Sequence, residues 1–369
     1  MACIFFKDPV RAESYNFAAG PAMLPSAVLE QIRQELPDWQ GSGQSILEQP
    51  FTSDAFQALM ARTEADLRQL LAIPPHYQVL FLQGGASAQF ALLPLNLLAP
   101  GQHADYLDSG HWSRKAIAEA RRHAPVNIIA SGSDTGFQAI PARHQWRLDP
   151  GAGYCHVTSN ETANGLQLQH FPELSVPLVA DMTSDLLTRP LPVERFGLIY
   201  ASTQKNLGVA GLCLVIIRND LLKPARAGLP SPFSYDLQVR QQSRLNTPPT
   251  FALYCLGLML RWIRDQGGLE RMAAASLEKS ARLYDLIDSS QLYICRQRMD
   301  DRSRINLCVQ LCDERLLEAF LAQAEGEGLY HLRGHGAVGG IRASLYNAMP
   351  MAGVERLRAF MAEFERRHG

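Results

Sequence analysis

Several features that define other protein classes are missing from this chain of 369 residues. Its cysteines are scattered and form no Cys-x-x-Cys pair, which argues against both a disulfide framework and a zinc site. Lysine and arginine number 35 against 36 acidic residues, without a long basic run, so the sequence lacks the electrostatic signature of nucleic-acid binding. The cysteines are Cys3, Cys155, Cys213, Cys255, Cys295, Cys308 and Cys312. We expect small molecules and copies of the same chain as partners, and no metal.

Long hydrophobic runs are also lacking. The longest, residues 251–260, is interrupted by Gly257 and followed by Arg261, so it is well short of a membrane span and indicates a buried helix. The amino terminus, residues 1–8, has neither the charged region nor the apolar stretch of a secretion signal. Together with the scattered cysteines, this predicts a cytoplasmic protein.

The pattern of apolar residues predicts an α/β fold. Hydrophobic residues make up 47% of the chain and charged residues 19%, as in compact globular proteins. Short runs rich in β-branched and aromatic residues alternate with helical patterns, which indicates a mostly parallel sheet covered by helices on both faces. The predicted strands of this sheet are residues 77–82, 104–107, 126–130, 154–157, 176–180, 198–201 and 212–217.

Length and a change of pattern predict two domains. A chain of this length is expected to form one large unit and a smaller one. Beyond about residue 290, short strands mix with helices, as in a small α+β domain. We predict an extension over residues 1–15, a large domain over residues 16–265 and a small domain over residues 266–369. The first residues of the large domain are candidates for packing against the small one.

The most informative segment is residues 197–211, where Lys205 follows an apolar run and precedes several glycines. A lysine held in a turn after a buried strand is partly desolvated, so its amine is nucleophilic near neutral pH, as Schiff-base chemistry requires. Upstream, Asp181 ends its own apolar run, where a parallel sheet places ligands. A pyridoxal ring needs such an anion at its ring nitrogen. Taken singly, each is more often an ordinary surface or turn residue.

A second segment, residues 79–90, combines a strand, the pair Gly84 and Gly85, and an apolar helix that starts near Ala86 and Ser87. The start of a helix presents unpaired N–H groups and a positive dipole end, and glycines let a phosphate approach them. The segment has neither the P-loop ending nor the dinucleotide glycine pattern. Glycines also make ordinary turns, so only the presence of the lysine and the acid makes a pyridoxal phosphate site the favoured interpretation.

Three further residues are candidates for the same site. Trp112 follows a predicted strand and can stack on a flat ring, although a core or interface tryptophan is comparably frequent. Thr162 also follows a strand and can donate a hydrogen bond, or simply form a turn or cap. Arg342 lies on an otherwise apolar strand, where a guanidinium needs an anionic partner. A substrate carboxylate or a structural ion pair would meet that need.

With these residues the chain resembles the phosphoserine aminotransferase family of fold-type I pyridoxal phosphate enzymes. The resemblance runs from residue 16 to residue 369 and is most specific in residues 16–25, 200–211, 246–251 and 339–350. It implies the fold-type I architecture, pyridoxal 5'-phosphate as cofactor and a homodimer. By resemblance, the residues that contact the cofactor are Ala86, Ser87, Trp112, Thr162, Asp181, Gln204, Lys205, Asn246 and Thr247.

The resemblance also implies roles. Lys205 would form the Schiff base and carry the proton of the reaction, while Asp181 would keep the pyridine nitrogen protonated. Trp112 would stack on the ring, and Thr162 would contact its hydroxyl. Arg342 would hold the substrate α-carboxylate. The cofactor phosphate would be bound by Ala86, Ser87 and Gln204, with Asn246 and Thr247 from the partner subunit.

This chain departs from the family where the substrate side chain is expected to bind. Phe51 and Thr52 stand where family members carry a His-Arg pair, and Gly336 replaces the arginine after His335. Ser87 stands where some members have another arginine. By resemblance, the positions expected at the substrate site are still Phe51, Thr52, His335 and Arg342. Each lost charge-assisted contact is worth about 1.5–3 kcal/mol, so two losses weaken discrimination by about two to four orders of magnitude.

Three functions therefore remain open on sequence. The leading one is phosphoserine transamination in serine biosynthesis, with Arg333 compensating if its side chain points inward. The second is a divergent paralogue that transaminates a less charged, non-phosphorylated 2-oxo acid or amino acid. The third is a pyridoxal phosphate-binding protein without catalysis.

Overall fold

The computed structural model describes residues 14–223 and 228–369. Most of the extension predicted over residues 1–15, and Cys3 with it, lies outside the described residues. Within those ranges the helices are α1 (Ser26–Glu35), α2 (Asp54–Leu71), α3 (Ala86–Leu97), α4 (His111–Ala120), α5 (Tyr235–Arg240), α6 (Thr250–Asp265), α7 (Gly268–Ser289), α8 (Leu317–Gly326) and α9 (Met351–His368). The strands are β1 (Tyr15–Asn16), β2 (Tyr77–Gln83), β3 (Ala104–Asp108), β4 (Val126–Ser131), β5 (Cys155–Thr158), β6 (Asn160–Glu161), β7 (Leu166–Gln167), β8 (Leu178–Asp181), β9 (Phe196–Ser202), β10 (Leu212–Arg218), β11 (Tyr293–Ile294), β12 (Asn306–Leu311), β13 (Leu329–Tyr330) and β14 (Ile341–Ser344).

A seven-stranded sheet in the order β2-β10-β9-β8-β5-β3-β4 forms the centre of the molecule. The pairings from β9 through β8, β5 and β3 to β4 are parallel, which confirms the predicted α/β fold with a mostly parallel sheet. Strand β10 runs antiparallel to both β9 and β2. The reason is the short connection from β9 to β10, since parallel neighbours need a crossover of about a dozen residues or more.

Both faces of this sheet are buried, because successive side chains of each strand point to opposite sides. In β9, Ile199 and Ala201 join the hydrophobic cluster that includes α2 and α6. Leu198 and Tyr200 join the opposite cluster, which includes α3 and α4. The strands are therefore apolar at nearly every position, as expected for a sheet enclosed between two helical layers.

A smaller sheet, β11-β12-β14, forms a separate hydrophobic cluster with α8, α9 and part of α7. Strand β1 pairs in parallel with β13, and Phe17 is fully buried in this same cluster. Helix α7 serves both units, since Leu269 lies in the α2/α6 cluster and Leu283 in the small one. The predicted boundary between the large and the small domain, at residue 265, falls just before α7 and remains a prediction.

The predicted strands of the large sheet each occur in the structure within two residues of the expected bounds. The one expected over residues 176–180 begins at Leu178, because Pro177 has no N–H to donate to a neighbouring strand. Beyond residue 290, the first of the short strands is β11, of two residues. Beyond it the chain turns towards the large sheet, where Gln297 donates a hydrogen bond to the carbonyl of Asn164.

The apolar run at residues 251–260 lies within α6 and is almost completely buried. Gly257 permits a close approach to α2, because a Cβ there would lie 2.9 Å from Thr63 Oγ1. None of the helices in the described ranges has the length and hydropathy needed to cross a membrane.

A buried lysine holds the end of the small sheet in place. Lys279 of α7 is 3% exposed, and its ammonium donates to the carbonyls of Leu345 at 3.1 Å, Tyr346 at 2.7 Å and Met349 at 3.2 Å. These carbonyls belong to the segment that joins β14 to α9. Three donors on one nitrogen thus satisfy three backbone acceptors that otherwise have little access to water.

Replacing this lysine is expected to destabilise the protein. The substitution Lys279→Met keeps much of the volume but removes the lysine donor from all three carbonyls, of which that of Tyr346 keeps the N–H of Met349. We expect a cost of about 2–4 kcal/mol in the free energy of unfolding. Urea denaturation at fixed protein concentration measures the change. The matched control is Glu278→Gln on the exposed side of α7, expected to change stability by less than about 0.5 kcal/mol. Equal stability of the two variants would contradict this role.

Candidate active site

The ends of several strands surround one cavity of about 370 Å³ at the carboxyl edge of the large sheet. Thr158 ends β5, Asp181 ends β8 and Ser202 ends β9, and these three strands are parallel neighbours. This edge is where open α/β sheets bind ligands. The cavity is lined by Ala19, Gly20, Gly85, Ala86, Ser87, Trp112, Thr158, Asn160, Thr162, Asp181, Thr183, Ser184, Ser202, Gln204, Lys205, His335 and Arg342.

A wider cleft, of about 480 Å³, lies at the outer edge of β2 between α2 and residues 239–244. Glu64 and Arg244 are the charged residues of its described lining, which contains no lysine or histidine. In residues 14–223 and 228–369, no group of three or more metal-ligating side chains is arranged to hold a metal ion.

Lys205 lies in the turn that follows β9, partly buried in this cavity. Its Nζ is 5.6 Å from the centre of the Trp112 ring. Burial lowers the pKa of Lys205 to about 8, although the negative charge of Asp181 acts in the opposite direction. A substantial fraction of the amine is therefore neutral near physiological pH and available as a nucleophile.

Asp181 is buried at the end of β8, directly beside β9 in the sheet. Its Oδ1 accepts a hydrogen bond from the backbone N–H of Thr183 at 2.9 Å. Burial raises the pKa of the Asp181 carboxyl, while the bonds from Thr183 and the charge of Lys205 lower it. An acid in this environment stabilises a cationic group placed in the cavity.

Trp112 and Thr162 are joined by a hydrogen bond at the side of the cavity. The indole Nε1 donates to Thr162 Oγ1 at 2.7 Å, which orients the ring. The threonine hydroxyl accepts this bond and keeps its own hydrogen for another partner. The pair therefore presents a flat aromatic face and a hydroxyl donor to the same cavity.

Glu161, which was not among the residues predicted from sequence, holds the backbone at Trp112 by hydrogen bonds. Its buried carboxylate accepts the backbone N–H groups of Trp112 and Ser113, each at 2.8 Å, at the start of α4. Burial raises the pKa of Glu161 to about 7, and these two hydrogen bonds oppose the rise. The residue sits between Asn160 and Thr162 in the sequence, and only its burial reveals its function as a helix cap.

The phosphate site that the sequence predicts at Gly84, Gly85, Ala86 and Ser87 forms at the start of α3. Gly84 has φ of +106°, a conformation that favours glycine, and Gly85 is the residue before the helix. The Ala86 N–H donates to Ser202 Oγ at 2.8 Å, and Ser87 lines the cavity beside it. Ser202 is thus a further polar group of this phosphate site. It could not be predicted from sequence, because nothing distinguishes a serine at the end of an apolar strand from an ordinary turn residue.

Arg342 reaches the cavity from β14 of the small sheet. Its Nη1 is 3.4 Å from the carbonyl oxygen of Thr162, and its buried Nε has no hydrogen-bond partner among the described residues. A guanidinium that is buried in part and incompletely paired favours an anionic ligand. Nearby, the imidazole rings of His335 and His111 have centroids 4.3 Å apart.

Four predicted site residues do not line the Lys205 cavity within the single chain. Phe51 packs against the α2/α6 cluster, and the Thr52 carbonyl accepts a bond from Gln57. Asn246 lines a small pocket beside β2, and the Thr247 carbonyl accepts a bond from Gln83. Asn246 and Thr247 were expected to act in the partner subunit, so their roles remain predictions.

The condition on which Arg333 could compensate for the missing arginines, an inward-pointing side chain, is not met in this structure. Its guanidinium forms two bonds of 2.7 Å with the carboxylate of Glu318, and both side chains are exposed to solvent. The side chain therefore points away from the cavity, because an ion pair with α8 satisfies it on the surface. At Gly336, a Cβ would meet nothing within 4 Å, so no other side chain occupies the vacated position.

Comparison with known proteins identifies the same enzyme family as the sequence motifs, over nearly the whole chain. The family model described as aminotransferase class-V matches residues 14–357. The phosphoserine aminotransferase of Nitrosomonas europaea is 49% identical over 363 residues, which cover 96% of this chain and 99% of the relative. The phosphoserine aminotransferase of Azotobacter vinelandii is 51% identical over 357 residues, with the same coverage of 96% and 99%.

Solved structures of this family share the fold of the chain. Phosphoserine aminotransferase from Bacillus circulans subsp. alkalophilus superposes with a TM-score of 0.95 at 42% identity, covering 96% of this chain and 99% of that one. The pyridoxal phosphate-bound phosphoserine aminotransferase of Trichomonas vaginalis gives 0.92 at 37% identity, with coverage of 95% and 99%. The fold is therefore that of the fold-type I aminotransferases, as predicted, and the chain belongs to the phosphoserine aminotransferase group of the class-V aminotransferase family.

Proposed function

We propose that the chain is a pyridoxal phosphate-dependent phosphoserine aminotransferase of serine biosynthesis. It transfers the amino group of L-glutamate to 3-phosphohydroxypyruvate, giving O-phospho-L-serine and 2-oxoglutarate. The observation that carries the proposal is the single cavity in which Lys205, Asp181 and Arg342 meet. Relatives of about 50% identity named phosphoserine aminotransferase support the same reaction.

The residues of the cavity fit pyridoxal phosphate. The start of α3 offers backbone N–H groups and the positive end of a helix to the phosphate, with Ser202 and Gln204 beside it. A buried carboxylate, Asp181, suits the ring nitrogen, and the free hydroxyl hydrogen of Thr162 suits the ring oxygen. When bound, the cofactor supplies a carbonyl for the amine and a ring that draws electrons from the substrate α-carbon.

Lys205 performs both covalent attachment and proton transfer. The neutral form of its amine is accessible near neutrality because its pKa is about 8, and this amine would attach the cofactor covalently. With substrate bound, Nζ would accept the proton of the substrate α-carbon and hold it for its return. Asp181 would keep a ring nitrogen protonated through its charge, and Trp112 would pack against the ring of the cofactor.

Arg342 places the substrate for that transfer. Two parallel hydrogen bonds from its guanidinium to the α-carboxylate satisfy the Nε that otherwise lacks a partner. Because Arg342 lies on β14 and Lys205 follows β9, the two units of the fold hold opposite ends of the reacting group. Such positioning supplies a large share of the rate of a reaction between bound groups.

The pH dependence of cofactor attachment tests the amine of Lys205. Below its pKa of about 8, the rate at which apo-protein takes up pyridoxal phosphate should rise with pH in proportion to the neutral amine, and then level off. Stopped-flow absorbance measures this rate. N-acetyl-lysine is the control for titration of the cofactor itself, because its amine has a pKa of about 10.4 and its rate keeps rising beyond pH 9. Identical profiles for protein and control would contradict a lowered pKa.

Steady-state assays test the reaction. The purified protein with 2-oxoglutarate should convert O-phospho-L-serine with a kcat/KM at least about 100-fold above those for L-serine and L-alanine, since neither supplies the charge of the phosphate. Efficient turnover of L-serine or L-alanine with none of O-phospho-L-serine would instead identify the divergent paralogue. A protein that binds pyridoxal phosphate and reacts with no amino donor would be the non-catalytic binder.

We also propose a cytoplasmic homodimer in which Asn246 and Thr247 complete the cofactor site of the partner. In the single chain they lie beside β2, at the edge of the sheet and outside the Lys205 cavity. When two subunits share a site, a variant defective in one contribution and a variant defective in the other can restore activity in a mixed dimer.

Mixed dimers test that arrangement. Lys205→Ala and Asn246→Ala homodimers carry one defect in every site, whereas half of the sites in a mixed dimer carry neither. Co-expression of two differently tagged chains, with isolation of the mixed species, should therefore give activity well above that of either homodimer. A monomeric mass of 40.9 kDa, or mixed dimers no more active than the mean of the two homodimers, would contradict the proposal.

A further inference from the structure

Basic side chains gather around Trp112, where His335 belongs to the cavity lining and His111 and Lys115 lie beside it. His335 lines the cavity, and its ring lies 6.0 Å from the Trp112 ring and 4.3 Å from the His111 ring, measured between centroids. Lys115 is one helical turn after His111 on α4, and its Nζ is 5.8 Å from the centre of the same Trp112 ring. Three basic groups from two elements thus surround one tryptophan.

His335 directly precedes Gly336, one of the positions where the family carries an arginine that this chain lacks. Phe51 and Thr52 lie outside the cavity, a Cβ at Gly336 would face open space, and Arg333 is paired on the surface with Glu318. Arg342 remains, but the substrate α-carboxylate occupies it in the proposed reaction. A second anionic group on the substrate therefore needs a different cation.

We propose that His111, Lys115 and His335 form the subsite for the phosphate of the substrate in this chain. The inference rests on the proposed function and assigns its specificity to α4. Trp112 contacts both groups of residues: Lys205 Nζ lies 5.6 Å from the centre of its ring, and the rings of His111 and His335 meet it edge-on. Glu161, by capping α4, fixes the direction in which His111 and Lys115 project.

The electrostatics of the cluster suit a doubly charged ligand. Burial, together with the charges of His335, Lys115 and Arg114, lowers the pKa of His111. Burial and the charges of Arg342 and Lys115 likewise lower the pKa of His335. At neutral pH both imidazoles are then mostly uncharged, and a phosphate dianion would raise both pKa values and cause proton uptake. Beyond the standing charge of Lys115, the subsite therefore gains positive charge when an anion enters.

Two ligands that differ only in the phosphate test the proposal without turnover. The ratio of the dissociation constants of D-glycerate and D-3-phosphoglycerate, measured by calorimetry on the holoenzyme, isolates the contribution of that group. We expect Lys115→Met and His111→Phe each to reduce this ratio about five- to tenfold, with the smaller value for the more exposed lysine. Lys115→Arg should preserve most of the ratio because it keeps the charge.

The matched control is Arg121→Met, which removes the same charge at the opposite end of α4 and should leave the ratio unchanged. Titrations at pH 7 in buffers of different ionisation enthalpy should show that D-3-phosphoglycerate binding takes up protons in wild type and fewer in His111→Phe. Unchanged affinity for D-glycerate verifies that each variant is folded.

The outcomes separate this proposal from the assignment of the reaction. A ratio that both Lys115→Met and His111→Phe leave unchanged would overturn the subsite, even if wild type converts O-phospho-L-serine efficiently. A ratio that depends on Lys115, in a protein that fails to transaminate O-phospho-L-serine, would retain the subsite for phosphorylated acids and overturn the reaction proposed above.

Discussion

The pairing of β8 with β9 is the contact on which the remainder of the site depends. The register places Asp181 opposite Tyr200, so the carboxylate ends β8 beside the strand that leads to Lys205. A slip of one residue would turn every side chain of the strand to the other face of the sheet and separate the acid from the amine. Burial of both faces enforces the register, because Ile199 and Leu198 each require their own cluster. The chemistry at the sheet edge is thus secured by apolar packing inside it.

Around that pair, the cavity is assembled from groups that are each held by a partner outside it. Thr162 orients Trp112, and Glu161 caps the helix that carries it. Lys279 fixes the segment after β14, the strand that bears Arg342. Such support explains how a chain without several family arginines keeps the architecture of the family, while α4 supplies cations at the substrate end. Specificity for an anion depends on charge and position, and more than one element of the fold can provide them.

Much of this was predictable from sequence, and the exceptions have physical causes. Lys205, Asp181, Trp112, Thr162 and Arg342 were each predicted at a strand end or on an apolar strand, and the structure gathers them in one cavity. The sheet was predicted because strands enclosed on both faces are apolar throughout. Side-chain direction was not predictable, so Arg333 was assigned a possible inward role that its ion pair with Glu318 rules out. Glu161 and His111 were missed because their importance arises only from contacts across about 50 and over 200 sequence positions.

The pairing of β1 with β13 has a consequence for the order in which the protein matures. The hydroxyl of Tyr346 donates to the carbonyl of Ala19, 327 positions away, and a Cβ at Gly20 would lie 3.5 Å from Cγ of Lys205. A chain growing on the ribosome exposes its amino-terminal segment long before the residues that receive it have been synthesised. The large sheet is complete by residue 218, yet the cavity cannot close until the last few dozen residues emerge. The nascent protein therefore passes through a stage with a formed sheet and an open site, in which Phe17 has no cluster to enter and stays exposed to water.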